Sequence, residues 1–293
     1  MKKRIAILLF IAIFLLFGCG RENVHYDIAA TTLPVYDFTV ALCENTGLSV
    51  GRLVTENVSC LHDYTLQVAQ MRMIESANTV VISGVGLEEF MDDILTACDH
   101  VIDASENAHI HEGEHHHEDE HSEDHHHHDK DPHIWLSPEN AKHMAQSICQ
   151  GLIRIYPQHE STILTNYQDL YGQLDELQRY GEETLNTLSC RELITFHDGF
   201  AYFAESFDLE ILEAIEEESG SEASAAEIIH LIDLIKLHQL PAVFTEVSGS
   251  DACAGIVQAE TDVQVFSLDM AMAGNSYFDS MYHNIDTIKE ALE

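Results

Sequence analysis

Basic residues are scarce in this sequence. Its 293 residues include 13 Lys and Arg but 51 Asp and Glu, which gives a formal net charge of −38 at pH 7. A chain this acidic would repel the phosphates of a nucleic acid, so nucleic acid is excluded as a partner. The same charge suits a protein that attracts cations, and solubility alone would also explain it.

Long apolar runs are equally scarce, because only one occurs, at the N-terminus. Three basic residues, Lys2 to Arg4, precede an unbroken apolar run from Ile5 to Phe17. This run is too short for a comfortable transmembrane helix and is typical of a signal peptide. We therefore expect residues 1–18 to be a signal peptide and the rest of the chain to be exported.

The apolar run ends in Leu16-Phe17-Gly18-Cys19, which resembles the end of a bacterial lipoprotein signal. The resemblance implies cleavage before Cys19 and a lipid on that residue, which would anchor the protein to the membrane on its extracytoplasmic side. An ordinary secretory signal followed by a chance cysteine is the alternative.

Closely spaced cysteines are absent. No two cysteines form a C-x-x-C pair, which argues against a structural zinc knuckle. Six cysteines follow Cys19, and an even number permits disulfides in an exported protein. We expect pairs confined within each half of the chain, although the sequence does not choose among the possible pairings. These cysteines are Cys43, Cys60, Cys98, Cys149, Cys190 and Cys253.

Short β-rich runs alternate with helical patterns along most of the chain. Val50–Thr55, Thr79–Ser83 and Glu192–Phe196 are examples of the predicted strands, each followed by a stretch with helical periodicity. Such alternation predicts βαβ units and an α/β fold with mostly parallel sheets flanked by helices.

The middle of the chain is helical. Ser137-Pro138-Glu139 has the cap, the proline and the acid that commonly start a helix. After Pro157, residues 158–188 carry apolar side chains at spacings of three and four, which predicts one long helix with a buried stripe. We therefore expect an N-terminal lobe (19–157), a long linking helix (158–190) and a C-terminal lobe (191–293).

One segment, His109 to His128, consists almost wholly of His, Glu and Asp. It has almost no apolar residue and cannot form a core, so we expect it to be disordered. Its imidazoles predict a low-affinity collector of metal ions, with a metal buffer or a solvated tether as alternatives.

Four side chains are candidates for a metal site, because each is expected close to the end of a strand or the start of a helix. They are His62, His133, His197 and Asp269, two from each half of the chain. In open α/β sheets such positions meet at the carboxyl ends of the strands. Three imidazoles and a carboxylate would hold Zn²⁺ tetrahedrally in a cleft between the lobes.

Several motifs resemble those of the zinc and manganese substrate-binding lipoproteins of ABC transporters. The clearest are Asp131-Pro132-His133-Ile134-Trp135-Leu136-Ser137-Pro138, Thr195-Phe196-His197-Asp198-Gly199-Phe200 and Leu61-His62-Asp63-Tyr64. The resemblance implies two α/β lobes joined by a long helix, a metal ion buried between them, and delivery of that ion to a membrane permease. It also implies that His62, His133, His197 and Asp269 are the ligands.

The resemblance favours Zn²⁺ as the transported ion, because manganese members tend to have Glu where this chain has His197, and because a His-rich loop is typical of zinc members. One departure concerns Asp269, which is followed by Met270-Ala271-Met272 where members often have Pro-Leu-Gly. Glu246 also ends a predicted strand and could face the cleft, but we interpret it as structural, since four ligands already satisfy zinc.

Three other functions compete with zinc delivery. A manganese or iron(II) carrier would have the same fold, and a surface adhesin or metal buffer would act without a transporter. A zinc hydrolase needs an open coordination position, which four protein ligands do not leave. We therefore expect a monomeric, non-enzymatic carrier.

Overall fold

The computed structural model describes residues 25–56, 61, 64–111, 130–215, 224–247, 252–272 and 274–293. Its strands form two separate four-stranded sheets, one from each half of the chain, and all strand pairs are parallel. The predicted α/β fold with two lobes is confirmed.

The N-terminal sheet has the strand order β2-β1-β3-β4. Its strands are β1 (Ile28–Ala30), β2 (Val50–Arg52), β3 (Thr79–Ile82) and β4 (Val101–Asp103). The helices of this half are α1 (Leu33–Leu42), α2 (Val68–Ser76) and the short α3 (Asp92–Leu95).

The C-terminal sheet repeats this arrangement with the order β6-β5-β7-β8. Its strands are β5 (Glu192–Thr195), β6 (Glu210–Ala214), β7 (Ala242–Glu246) and β8 (Gln264–Leu268). The helices around it are numbered after the two central helices α4 (Pro138–Ile155) and α5 (Glu160–Leu185). They are α6 (Ala201–Ser206), α7 (Ala225–His238), α8 (Ala252–Thr261) and α9 (Tyr277–Leu292).

Two central helices connect the halves. Helix α4 (Pro138–Ile155) is capped by Ser137, whose hydroxyl accepts a hydrogen bond from the Asn140 N–H. Helix α5 (Glu160–Leu185) has 26 residues, which makes it about 39 Å long at roughly 1.5 Å per residue. It packs against α4, against α1 of the N-terminal half and against α9 of the C-terminal half. The long linking helix is therefore present, slightly shorter than predicted.

The apolar side chains of each sheet divide between two cores, because successive side chains of a strand point to opposite faces. In β3, Val81 belongs to a large central core and Val80 to a small outer cluster. In β7, Phe244 belongs to the same central core and Val243 to an outer cluster of the C-terminal half. The central core thus contains side chains from both halves of the chain.

Direct contacts also join the two halves near the start of α9. The Tyr277 N–H donates to the Asp37 carboxylate at 2.8 Å, and the Tyr277 ring meets Phe38 edge-on at 4.9 Å. The Leu33 N–H, at the start of α1, donates to the Met272 carbonyl at 3.3 Å. Helix α1 and the segment before α9 are therefore fastened to each other.

The stretch from Glu88 to Ala97, which its pattern predicts as one helix, folds differently. A 3₁₀ turn over Glu89–Met91 leads into the four residues of α3. The buried Glu88 carboxylate instead ties the preceding turn to β1, since it accepts hydrogen bonds from the Thr31 hydroxyl and the Ser83 N–H. The helix expectation was wrong because these bonds fix the local backbone.

The expectation of disulfides within each half was also wrong for the described cysteines. Cys43, Cys98, Cys149 and Cys190 are thiols. Burial raises the pKa of Cys43 to about 12 and that of Cys149 to about 11, so both thiols stay protonated. Cys60 lies outside the described residues.

Within the part of the chain that the structure describes, no helix is long and apolar enough to cross a membrane. The predicted signal peptide and Cys19 lie outside that part.

Candidate metal centre

His133 and His197 come from different halves of the chain and lie next to each other. His133 directly precedes the 3₁₀ turn Ile134–Leu136 that leads into α4, and His197 follows strand β5. Their ring centroids are 5.4 Å apart, with the ring planes at 83°. His133 is buried, with 8% of its surface exposed. Two imidazoles at this distance are placed so that one metal ion can bind both.

Asp131 orients His133. One of its carboxylate oxygens, Oδ1, lies 2.9 Å from the His133 backbone nitrogen and 2.8 Å from the ring Nδ1. A carboxylate at Nδ1 accepts a hydrogen bond from that nitrogen, so the proton is held there and Nε2 is left with a lone pair for a metal ion.

Asp269 directly follows β8 and is held by its neighbours. Its Oδ1 accepts a hydrogen bond from the Ala271 N–H at 2.8 Å, and its Oδ2 accepts one from the Ser280 hydroxyl at 2.8 Å. Asn284 of α9 bonds to its main chain on both sides, since the amide oxygen accepts from the Asp269 N–H and the amide nitrogen donates to the carbonyl. These bonds fix the carboxylate without using all its lone pairs.

Glu246 lies beside these side chains, as its position at the end of a predicted strand allowed. It is the last residue of β7, is only 6% exposed, and places Oε2 3.5 Å from Nδ1 of His197. Burial and the charge of Asp269 raise the pKa of Glu246 to about 7, against the opposing effect of His133. The charges of Asp269 and His133 both act on Glu246, which itself contacts His197.

The sheet register explains why these side chains meet. Strand β7 lies between β5 and β8, and Glu246 pairs with Leu268, the residue before Asp269. His197, Glu246 and Asp269 therefore stand at the carboxyl ends of three adjacent strands. The position of Glu246 at the end of an apolar strand was the signal that could have identified it from the sequence.

Gly199 allows the two imidazoles to approach. A side-chain carbon at Gly199 would stand 2.5 Å from the Met270 methyl group, 2.9 Å from the His197 ring and 3.1 Å from the His133 ring. Trp135 holds the opposite side of this segment in place, because its indole N–H donates to the Met270 carbonyl at 2.7 Å. A larger residue at this position would therefore require the Met270 methyl group and both imidazole rings to shift.

His62, the first predicted ligand, lies outside the described residues, as does its neighbour Asp63. The adjacent Leu61 is buried in the central core. The structure thus brings together three of the four predicted residues, His133, His197 and Asp269, and adds Glu246.

Two spacings found in hydrolases occur in the sequence but lack the required context. His111 to His115 and His117 to His121 read H-E-x-x-H, and both fall in the His-rich stretch, of which 112–129 lies outside the described residues. Gly47 to Gly51 reads G-x-S-x-G, but its serine precedes strand β2 and donates to the Asp27 carboxylate. A nucleophile elbow instead follows a strand and exposes its serine.

The two lobes, the central helix and the buried His and carboxylate side chains define the class of a metal-binding solute-binding protein. The chain belongs to the family described as "ZnuA: Zinc-uptake complex component A periplasmic", whose sequence profile matches residues 28–291. Its members are substrate-binding components of ABC metal transporters rather than enzymes.

Relatives in this family differ in the metal that their names state. The high-affinity zinc uptake system protein ZnuA of Bacillus subtilis is 26% identical, and the alignment covers 99% of this chain and 98% of that protein. The manganese-binding lipoprotein MntA of the same organism is 24% identical, and the alignment covers the full length of both chains. A crystal structure of a ZnuA is similar to this fold with a TM-score of 0.79 and 26% identity, over 92% of this chain and 100% of its own.

Proposed function

We propose that this protein captures Zn²⁺ outside the cell and delivers it to the permease of an ABC importer. The observation that carries the proposal is the pair of adjacent imidazoles, His133 and His197, with the carboxylates of Asp269 and Glu246 beside them. Neutral imidazole is a ligand well matched to zinc, and a carboxylate completes many zinc sites.

The proposed ligands are His62, His133, His197 and Asp269. Glu246 lies beside His197 and, once ionised, would balance the charge of a bound cation. Binding must displace protons, because only a neutral imidazole can ligate a metal ion. Capture should therefore weaken as the pH falls through the ordinary pKa of histidine, about 6.5.

Release to the permease would require only small movements of the lobes. The supporting observations are the central core shared by both halves and the hydrogen bond between Tyr277 and Asp37. A lipid on Cys19 would keep the carrier beside the permease. Within this proposal the lobes comprise residues 19–157 and 191–293, with 158–190 as the linking helix.

Manganese is the competing substrate, because several relatives are named as manganese-binding or manganese-transporter lipoproteins. The donor set favours zinc, since carboxylate-rich oxygen sites suit Mn²⁺ better than imidazoles do. The test is elemental analysis of protein purified without added metal, followed by competition between Zn²⁺ and Mn²⁺ on the metal-free chain.

We expect zinc in the purified protein and retention of zinc against a hundredfold excess of manganese. The His133→Ala protein should lose this tightly bound zinc ion. Preferential retention of manganese would reject zinc as the substrate, and unchanged zinc binding by His133→Ala would reject the proposed site.

A further inference from the structure

We infer that the protein has a second metal site, separate from the candidate centre, formed by His109, His111 and Glu205. One potential ligand atom from each of these side chains lies within 4.8 Å of the other two. Two imidazoles and a carboxylate match a borderline divalent ion such as Zn²⁺. Around a tetrahedral zinc ion, such donors are roughly 3.3 Å apart, so small rotations of the side chains would close the site.

The ring of His111 is already oriented toward this position. It stacks on the Tyr202 ring with centroids 4.2 Å apart and planes at 16°. Its Nε2 lies 2.6 Å from Oε2 of Glu205, which stands three residues after Tyr202 on the same face of α6. A metal ion would replace the proton shared by His111 and Glu205, as metal ions do when they bind imidazole.

The main chain at the site is fixed as well. The His109 N–H donates to the side-chain oxygen of the buried Asn140, whose amide nitrogen donates back to the His109 carbonyl. The His111 N–H donates to the Tyr202 hydroxyl at 2.9 Å. Both histidines are therefore held on folded elements, which distinguishes them from a ligand set on an unstructured peptide.

The site remains open to solvent. The side chain of Glu205 is 61% exposed and that of His111 is 26% exposed. Three protein ligands leave a fourth position for water, one ligand fewer than at the candidate centre. We therefore expect weaker binding here than at the buried centre.

A short chain of hydrogen bonds connects the second site to the candidate centre. The Tyr202 hydroxyl, which accepts from His111, donates to the Asp131 carbonyl at 2.9 Å. The Asp131 carboxylate in turn orients His133. The second site thus lies where the His-rich stretch joins the fold, beside the residues that hold the main ligand.

The test uses the full chain in which the remaining histidines of the His-rich stretch are changed to Gln, so that only folded ligands remain. These are His115, His116, His117, His121, His125, His126, His127 and His128. Zinc binding is measured by equilibrium dialysis with elemental analysis. This chain should bind two equivalents of zinc, one tightly at the candidate centre and one weakly at the second site.

Adding H111Q and E205Q to this chain should remove the weak equivalent, or weaken it at least tenfold, and leave the tight one unchanged. A matched control is H238Q with E192Q, which breaks a similarly exposed His–Glu contact of 3.1 Å in the C-terminal half. The control should retain both equivalents.

Absence of the weak zinc equivalent from the starting chain would overturn the inference, as would a weak equivalent that survives H111Q and E205Q. The tight equivalent reports on the candidate centre. Its absence would contradict the proposed transport function and leave the second site to be judged from the weak equivalent alone.

Discussion

Asp131 shows how one side chain can prepare a ligand. It holds both the backbone and the ring of His133 through one oxygen. Asp131→Asn keeps the size of the side chain but removes the charge that favours the Nδ1-protonated ring. Zinc affinity should fall by about 10- to 100-fold, the usual effect of losing such a partner. Competition with a chromophoric chelator measures this change.

Asp175→Asn is the control for Asp131→Asn, because Asp175 is an exposed carboxylate paired with Lys142. It should leave zinc affinity unchanged. An Asp131→Asn protein with wild-type affinity would mean that packing alone orients His133.

Glu246 makes the metal-free protein sensitive to pH. Its pKa is raised from an ordinary 4.5 to about 7, first by burial and then by Asp269. A carboxyl group with a raised pKa in the folded state contributes to stability while it is protonated. This contribution is fully present below pH 4.5 and is lost as the pH rises through 7. Through this group, the unfolding free energy of the wild-type protein should fall by roughly 1 to 3 kcal/mol between pH 5 and pH 8. The Glu246→Gln protein should lack this decrease.

Urea unfolding of the metal-free proteins at pH 5 and pH 8 measures this difference. The wild-type protein should lose more stability than Glu246→Gln over this range. Equal losses in the two proteins would show that Glu246 is already ionised at pH 5.

At the scale of residues, the sequence identified His133, His197 and Asp269 as candidate ligands, and it placed Glu246 at a strand end from which it could face the cleft. Motifs and strand ends identify candidate ligands, whereas the order of strands in the sheet decides which of them become neighbours. That β7 lies between β5 and β8 is a property of the whole sheet and is not encoded in the residues around Glu246.

The two glycines of helix α5 are chemically identical but have opposite roles. A side-chain carbon at Gly172 would meet no other atom within 4 Å, whereas one at Gly181 would lie 2.2 Å from the Phe207 ring. Gly172→Ala should stabilise the protein by about 0.5–1 kcal/mol, because alanine restricts the unfolded chain and favours the helix.

Gly181→Ala should instead destabilise the protein by about 1–3 kcal/mol, since Phe207 is buried and cannot move freely. Chemical denaturation of both variants measures the two effects, and each serves as the control for the other. A Gly181→Ala protein as stable as Gly172→Ala would show that the Phe207 ring repacks without cost.

Element types followed from the sequence wherever periodicity was strong, as in α5, but the bounds and the short elements did not. The pattern of residues 26–33 predicts one strand, whereas β1 ends at Ala30 and α1 begins at Leu33. The proline at position 34 explains this change, because proline is favoured in the first turn of a helix. The turn stabilised by Glu88 depends on a distant partner, Thr31, and so had no local signal.

At the scale of the molecule, one core connects both lobes. Phe38 and Val81 of the N-terminal half share it with Phe244 and Tyr277 of the C-terminal half. Because the helices α1, α5 and α9 pack on one another, neither half can expose its inner face without exposing that of the other. We therefore expect the metal-free protein to unfold in a single cooperative transition, despite its two sheets.

Zinc provides the test of this expectation, since its candidate ligands His133 and His197 come from opposite halves. Free zinc at 1,000 times its dissociation constant should stabilise the folded state by about 4 kcal/mol, which raises Tm by about 8–16 °C for a chain of this size. Calorimetry with and without zinc should show one transition that moves as a unit. Two transitions, of which zinc shifts one, would mean that the lobes fold independently and that the metal is held by a single half.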